Sequence, residues 1–377
     1  MKRLFLFLII LLAVYITHPM WEEEVETILQ HDLVQDSLES IKESEWVSSA
    51  LNHMEFAYTS LLQEIDDLFD EGITSPDEVD YIKVAKPELD PPAKQPIAVY
   101  NLEIGDTQQQ VKEELGEPNR STTNEYGALW HTYHQNYQHF LMISFDDNQL
   151  INGLYTNQDL ISSSLGITLG DTKSLVQQNL GRPLTKIKKG SFYYQLPDHG
   201  EYDVFLIEKS YVTVFYDIHE NNTVTAIQII QKELEDTKQT LYTENSDELK
   251  TGLEYQLFDV TNAARVEHGL HPLAWDDSAK ETARKHSLDM ADNGYFDHTN
   301  LDGESPFDRM SEDNIHFLVA GENLAYGQFS SIFAHEGLMN SEGHRKNILQ
   351  KDFDYVGIGV AFNEESHPYY TQNYFAN

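Results

Sequence analysis

The sequence of 377 residues contains no cysteine. This absence excludes a structural disulfide, a thiolate metal site, a cysteine nucleophile and a lipid anchor attached through cysteine. Basic residues are also scarce: 25 lysines and arginines stand against 63 aspartates and glutamates, a formal net charge of −38. Because such an acidic surface repels nucleic acid and anionic lipid headgroups, we expect no nucleic-acid partner.

Two sequence motifs of hydrolytic enzymes are also missing. The chain has neither the HExxH motif of zinc proteases nor the G-x-S-x-G nucleophile elbow of serine hydrolases. Any hydrolytic chemistry would therefore need residues brought together from distant parts of the sequence.

Long apolar runs are rare, and the clearest one lies at the N-terminus. Lys2 and Arg3 precede an apolar run over residues 4–16. This run is shorter than the ~20 residues that span a bilayer comfortably, and a charged start before a short apolar core is typical of secretion signals. We interpret residues 1–19 as a signal peptide or a membrane anchor. Bulky residues stand where a cleavage site would need small ones, which favours the anchor, and either interpretation predicts an extracytoplasmic protein.

Residues 20–75 form an acidic segment that is predicted to be helical. Apolar residues between Val47 and Leu68 alternate spacings of four and three, as in a heptad seam. This pattern fits a stalk or dimerising helix, or a helix packed on the next domain. Residues 76–96 are rich in proline and are predicted to be a linker.

An internal repeat follows in residues 97–232, with copies over about 100–160 and 165–231. IGDTQQQVKEELGEP starts at Ile104 and LGDTKSLVQQNLGRP starts at Leu169, and seven of fourteen positions from Gly105 onward are identical at an offset of 65. Each copy predicts a short helix that begins at Asp-Thr and ends at Gly116 or Gly181. Strand-like runs come after each helix, so we expect a duplicated helix on an antiparallel sheet. A second polar linker, 233–247, then leads to residues 248–377.

Residues 248–377 are predicted to form an α+β domain. Helices are expected over about 248–267 and from Asp276 or Asp277 to Asn293, with Gly294 as the end of the second. Further helices are expected over about 306–310 and 330–349, and two strands are expected in YVGIGVAF and PYYTQNYFA.

Seven sequence motifs carry a family resemblance in this domain. They are TNAARVEHGLHPLAW, ARKHSLDMADNGYFDH, DGESPFDRM, AGENLAYG, MNSEGHRKNIL, YVGIGVAF and YYTQNYF. Residues 248–377 thereby resemble the bacterial branch of the CAP superfamily, named for cysteine-rich secretory proteins, antigen 5 and pathogenesis-related 1 proteins. The resemblance implies an α-β-α sandwich. The repeat ahead of it resembles the CAP-associated domain of spore-forming Gram-positive bacteria.

The resemblance also implies a polar cleft. His298, Glu322 and His344 match the family residues that line this cleft and can bind zinc or another divalent metal ion. Two imidazoles and one carboxylate are an ordinary ligand set for such an ion. Ser341 and Tyr370 stand at or near the positions of a second cleft glutamate and a second cleft histidine, which puts the activities of eukaryotic relatives in doubt.

Two alternatives concern the chemistry of this cleft. Glu322 and Glu336 are the candidate catalytic residues, with Glu336 eight residues before His344 on the same predicted helix and so on a similar face. Glu336 could equally be a solvated residue of this helix without a catalytic role. Glu322 is equally compatible with a buried carboxylate that ties loops together without a metal.

Three functions remain open at this stage. The first is an envelope-associated binding module whose His/Glu cleft binds a metal ion or small ligand. The second is a metal-dependent hydrolase acting outside the membrane, and the third is a structural envelope or spore-associated interaction protein. We favour the first, with an unknown envelope protein or small ligand as partner and membrane contact through the N-terminal segment.

Overall fold

The computed structural model describes residues 83–196 and 200–377. The predicted signal or anchor (1–19) and the acidic helical segment (20–75) lie outside the described residues. Residues 83–96, which belong to the predicted linker, contain neither helix nor strand. In the described part of the chain, no helix combines the length and apolar character needed to cross a membrane.

The repeat region folds into short helices and antiparallel strands. Its elements are β1 (Ile97–Val99), α1 (Gln108–Leu115), β2 (Arg120–Thr123), β3 (Leu129–Gln135), β4 (Gln138–Phe145), β5 (Ile151–Thr156), β6 (Ile161–Ser163), α2 (Lys173–Leu180), β7 (Lys186–Lys189), β8 (Phe192–Gln195), β9 (Tyr202–Ile207), β10 (Ser210–Asp217) and β11 (Thr223–Gln231).

Both copies of the repeat contribute to one seven-stranded sheet rather than to two separate sheets. The strand order is β2-β3-β4-β5-β11-β10-β9, and the copies join where β5 pairs antiparallel with β11. Each copy also contains a backbone hydrogen bond at the equivalent place, from the glycine of its Gly-Asp-Thr motif to the last strand of the same copy. The N–H of Gly105 donates to the carbonyl of Ile151, and the N–H of Gly170 donates to that of Val224.

The repeat's Gly-Asp-Thr motif begins each helix, but threonine rather than aspartate is the cap. The Thr107 hydroxyl accepts from the Gln110 N–H, and Thr172 caps α2 in the same way. Asp106 instead accepts from the N–H of Glu103, which closes the turn before the helix. The helices therefore begin at the Asp-Thr pair as predicted, with the threonine as the capping residue.

Residues 233–247, predicted to be a polar linker, are partly packed into the protein. They begin within a short helix, α3 (Lys232–Glu235), in which Glu235 is buried. Its carboxylate accepts hydrogen bonds from Lys189 and from the Tyr126 hydroxyl. Lys238 is also buried, and its ammonium lies 4.9 Å from the centre of the Phe329 ring in the C-terminal domain.

The C-terminal domain continues the chain with helices and a four-stranded sheet. Its elements are α4 (Asp247–Glu267), β12 (Ala274–Trp275), α5 (Asp277–Asn293), α6 (Pro306–Glu312), β13 (Val319–Tyr326), α7 (Ser331–Asn340), α8 (Glu342–Ile348), β14 (Tyr355–Phe362) and β15 (Pro368–Ala376). The sheet order is β12-β14-β15-β13. Helix α5 packs on β14 and β15, while α4, α7 and α8 also pack against the sheet, which gives the expected α-β-α sandwich.

One prediction for this domain was wrong, and one of its strands was not predicted. The single helix expected over 330–349 is two helices, because Ser341 has an extended backbone (φ −98°, ψ 120°) and separates α7 from α8. The AGENLAYG motif, except for its last glycine, lies in strand β13, which was not predicted. Apolar and polar residues do not alternate along the motif as they do in a typical strand. Its strand conformation therefore depends on pairing with β15.

Helix α5 lies unusually close to strand β14. A Cβ atom on Gly357 would stand 2.1 Å from the backbone nitrogen of Lys280, and one on Gly359 would stand 2.1 Å from that of Arg284. Only glycine leaves room for this approach, which explains the two glycines of YVGIGVAF. The hydroxyl of Ser287 reinforces the contact by donating to the carbonyl of Gly359.

The repeat region and the C-terminal domain form one compact unit over 81–377. Arg120 of β2 pairs with the buried Asp259 of α4 at 3.0 Å. A Cβ atom on Gly252 would meet the Thr123 carbonyl oxygen at 2.0 Å, so α4 touches the backbone of β2 directly. Farther along the interface, the Tyr155 hydroxyl donates to Glu336 at 2.8 Å.

Replacing Gly359 with alanine should destabilise the protein. The added methyl group cannot fit against the backbone of α5 without a shift of helix or strand, and overpacking of this kind costs about 1–3 kcal/mol. Thermal unfolding of Gly359→Ala should show a clear drop in melting temperature. Gly343→Ala is the matched control, because a Cβ atom there has nothing within 4 Å. Equal melting temperatures for the two variants would contradict the close packing.

Replacing Glu336 with glutamine should change how stability depends on pH. Burial raises the pKa of Glu336 from 4.5 to about 8 in the folded protein. As pH rises through this interval, the unfolded chain releases the proton before the folded chain does, so the glutamate lowers stability progressively. Glutamine stays neutral and keeps an acceptor for the Tyr155 hydroxyl.

The melting temperature of Glu336→Gln minus that of the wild type should therefore increase from about pH 5 to about pH 8. Differential scanning calorimetry across this range measures the difference. A difference that stays constant, or falls with rising pH, would show that Glu336 is not buried in its protonated form.

Candidate functional site

Glu322 is carried by strand β13 at one side of the C-terminal sheet. It pairs in register with Asn373 of β15, and its side chain is buried. A buried carboxylate needs partners for both oxygens, and Glu322 has them. Its Oε1 accepts from His298 Nδ1 at 2.8 Å, and its Oε2 accepts from Arg309 Nη2 at 2.7 Å.

His298 reaches this carboxylate from the loop after helix α5. The helix ends at Gly294, whose left-handed backbone (φ 68°, ψ 36°) turns the chain out of the helix. Arg309 of α6 holds the loop, because its Nη1 donates to the carbonyl of His298 at 2.8 Å and to that of Glu304 at 3.0 Å. One guanidinium therefore binds the loop backbone and the buried carboxylate together.

His344 enters the cleft from helix α8. Its Nδ1 is hydrogen-bonded to the Ser341 hydroxyl at 2.8 Å, across the break between α7 and α8. Burial lowers the pKa of His344, and the proximity of His298 lowers it further. The structure thus brings His298 and Glu322, predicted from two distant motifs, into direct contact, and it places His344 near enough to His298 for the two imidazoles to interact electrostatically.

Two asparagines that were not predicted as site residues connect strand β13 to helix α8. Asn323 Nδ2 donates to the carbonyl of His344 at 3.1 Å, and Asn347 Nδ2 donates to that of Glu322 at 3.1 Å. Asn347 also donates to Asn323 Oδ1 at 2.9 Å. The spacing of His344 and Asn347, three residues apart on a helix, was the signal for this network.

The arrangement would let the two imidazoles bind a metal ion, but it does not favour binding by all three residues. Among the described residues, no group of three or more histidines and carboxylates is arranged to hold a metal ion. Both oxygens of Glu322 are engaged by His298 and Arg309. The Nδ1 atoms of His298 and His344 are held by hydrogen bonds, while their Nε2 atoms have no hydrogen-bond partner in the described ranges.

Other residues considered in the sequence lie outside this cleft. Glu336 is fully buried on α7 and faces Tyr155 of the repeat region, so it is neither solvated nor beside the three cleft residues. The Tyr370 hydroxyl donates to the carbonyl of Gln328. His286 is buried in α5, and its Nε2 donates to the Asp297 carbonyl.

Comparisons with known proteins agree with this architecture. The profile of the cysteine-rich secretory protein family (CAP) matches residues 258–374, and that of the CAP-associated N-terminal domain matches residues 104–241. The Bacillus subtilis membrane protein YlbC is 30% identical over 291 residues, which cover 72% of this chain and 82% of YlbC. The Bacillus subtilis protein YkwD is 42% identical over 121 residues, 32% of this chain and 46% of YkwD.

Solved structures show the same fold. An extracellular SCP-domain protein from Bacillus anthracis has a TM-score of 0.64 at 25% identity, covering 81% of this chain and all of that one. A cysteine-rich secretory protein from Staphylococcus aureus has a TM-score of 0.60 at 17% identity, covering 77% of this chain and 95% of that one. The chain therefore belongs to the cysteine-rich secretory protein family, with a CAP-associated domain ahead of its CAP domain.

Proposed function

We propose that this CAP protein acts outside the cytoplasmic membrane as an envelope-associated binding module, and that its cleft binds a divalent metal ion or a small ligand through His298 and His344. The observation that carries the proposal is that both imidazoles use Nδ1 for a hydrogen bond within the protein. Each is fixed through Nδ1, by Glu322 or by Ser341, and each keeps Nε2 without a protein partner in the described residues.

Three observations support the extracytoplasmic location. The sequence begins with two basic residues and an apolar run, as secretion signals and membrane anchors do. Among the relatives, YlbC is named a membrane protein and the Bacillus anthracis protein is named extracellular. The absence of cysteine suits an exported bacterial protein.

In this proposal Glu322 orients a ligand rather than acting as one. A carboxylate that accepts the Nδ1–H of a histidine fixes the ring and leaves Nε2 with its lone pair for an ion. The donor set of two imidazole nitrogens suits zinc and other borderline transition metals better than magnesium or calcium. When bound, such an ion would supply a Lewis-acidic centre in the cleft, and His298 and His344 would hold it.

The hydrolase alternative has less support. A hydrolase needs a general base or acid near the reacting atom. Glu336 lies at the interface with the repeat region, and Glu322 already accepts hydrogen bonds from His298 and Arg309. A binding role needs no such group and fits the hydrogen-bonded cleft.

Zinc binding should depend on both cleft histidines. In equilibrium dialysis with excess Mg²⁺, which occupies the acidic surface, we expect His298→Ala and His344→Ala each to bind Zn²⁺ at least about tenfold more weakly than the wild type. Glu322→Gln should also weaken binding by about tenfold, since outer partners of ligating histidines contribute at this level.

His316→Ala is the matched control, because His316 is an exposed histidine of the same domain that does not contact the cleft residues. Melting curves of all variants establish that each is folded. Zinc affinities of His298→Ala and His344→Ala that equal those of the wild type and of His316→Ala would refute the metal site.

A further inference from the structure

A second cavity, separate from the His298 cleft, lies between the CAP-associated domain and the CAP domain. It has a volume of about 270 Å³. Its walls come from the β7–β8 hairpin, from β9 and β10, from Leu241 between the domains, and from the segment joining β13 to α7. Neither domain encloses this space by itself.

Aromatic rings are the largest group of side chains in the cavity wall. Phe333 of α7 is at their centre, packing edge-to-face on Tyr202 and Phe215 with ring centres 5.1 Å apart in both pairs. Phe329 lies 4.5 Å from Phe333, and Tyr194 of β8 completes the wall. A small, mostly apolar cavity with few polar groups is the usual form of a small-molecule site, for which volumes start at roughly 300 Å³.

One polar side chain in the wall is available to a ligand. Gln328 Oε1 is buried and has no hydrogen-bond partner among the described residues. Its Nε2 lies 3.9 Å from where a Cβ atom on Gly337 would stand, on the cavity side of helix α7. Because the terminal amide carries a donor and an acceptor, rotation of the amide can present either one to the cavity.

Charge decides which kind of ligand fits. No lysine or arginine is among the described residues that line the cavity, and the protein carries a net charge of −38, so an anion is disfavoured. The wall also contains the carboxylate of Glu201, but this group already has an interaction partner. A cation is disfavoured because the ammonium of the buried Lys238 lies 4.9 Å from the centre of the Phe329 ring. Glu336 adds a carboxyl group that burial keeps protonated, since its pKa is raised to about 8.

We propose that this interdomain cavity binds a small neutral aromatic molecule that carries an N–H or O–H donor, with the aromatic rings stacking on it and Gln328 accepting its hydrogen bond. The site requires both domains, which gives the CAP-associated domain a direct role in ligand binding. It is independent of metal or ligand binding at His298 and His344.

Indole is a suitable probe, because it is neutral, aromatic and carries one N–H donor. We expect saturable binding of indole to the wild-type protein in saturation-transfer difference NMR. 1-Methylindole has the same rings without the donor and should bind roughly fivefold more weakly, the usual effect of one hydrogen bond. Indole-3-acetate, an anion, should bind more weakly than indole.

Gly337→Leu tests the location without disturbing the fold. A Cβ atom at this helical position meets only Gln328 Nε2, at 3.9 Å, and leucine favours the helix over glycine. The added side chain fills the cavity, so indole binding should fall at least tenfold. Gly343→Leu makes the same change in helix α8, where a Cβ atom has nothing within 4 Å, and should bind indole as the wild type does.

Melting curves establish that both variants are folded. Absence of saturable indole binding to the wild type, or equal binding to Gly337→Leu and Gly343→Leu, would overturn the site. Equal affinities for indole and 1-methylindole would overturn the role of the donor, and tighter binding of indole-3-acetate would overturn the neutral class. None of these results depends on the outcome of the zinc measurements.

Discussion

The close contact between helix α5 and strand β14 is the constraint on which the His298 cleft depends. Gly357 and Gly359 allow the helix backbone to lie directly on the strand. This fixes Gly294 at the end of α5, and with it the loop that delivers His298. Strand β14 also pairs with β15, which in turn pairs with β13 and so positions Glu322. Both partners of the His298–Glu322 hydrogen bond therefore depend on one glycine-lined contact.

The cleft combines a rigid interior with an open exterior. Glu322 is buried, and its charge is balanced by Arg309 and by hydrogen bonds, as a buried carboxylate requires. His298, in contrast, has a side chain that is 51% exposed. The buried carboxylate fixes the position of the His298 ring, whose Nε2 has no hydrogen-bond partner among the described residues. Rigid support for a few exposed polar atoms is a general property of binding sites.

The sequence predicted features that are set by local interactions. The repeat helices were recoverable because Thr107, Thr172 and the following glycines act within one helical turn. The meeting of His298, Glu322 and His344 was recoverable only through the family resemblance, since no local pattern links motifs so far apart. The strand character of β13 and the partner of Glu336 escaped prediction, because both are decided by residues more than forty positions away, in β15 and at Tyr155.

The joining of the two repeats at β5 and β11 has a consequence for the origin of the CAP-associated domain. These strands occupy equivalent places in the two copies and pair antiparallel, which is how identical subunits join across a two-fold axis. A single copy folded alone would expose β5 as an open sheet edge, and exposed edges of this kind promote aggregation. The domain thus has the form of a homodimer whose two subunits became one polypeptide, and neither half is expected to be a soluble protein without the other.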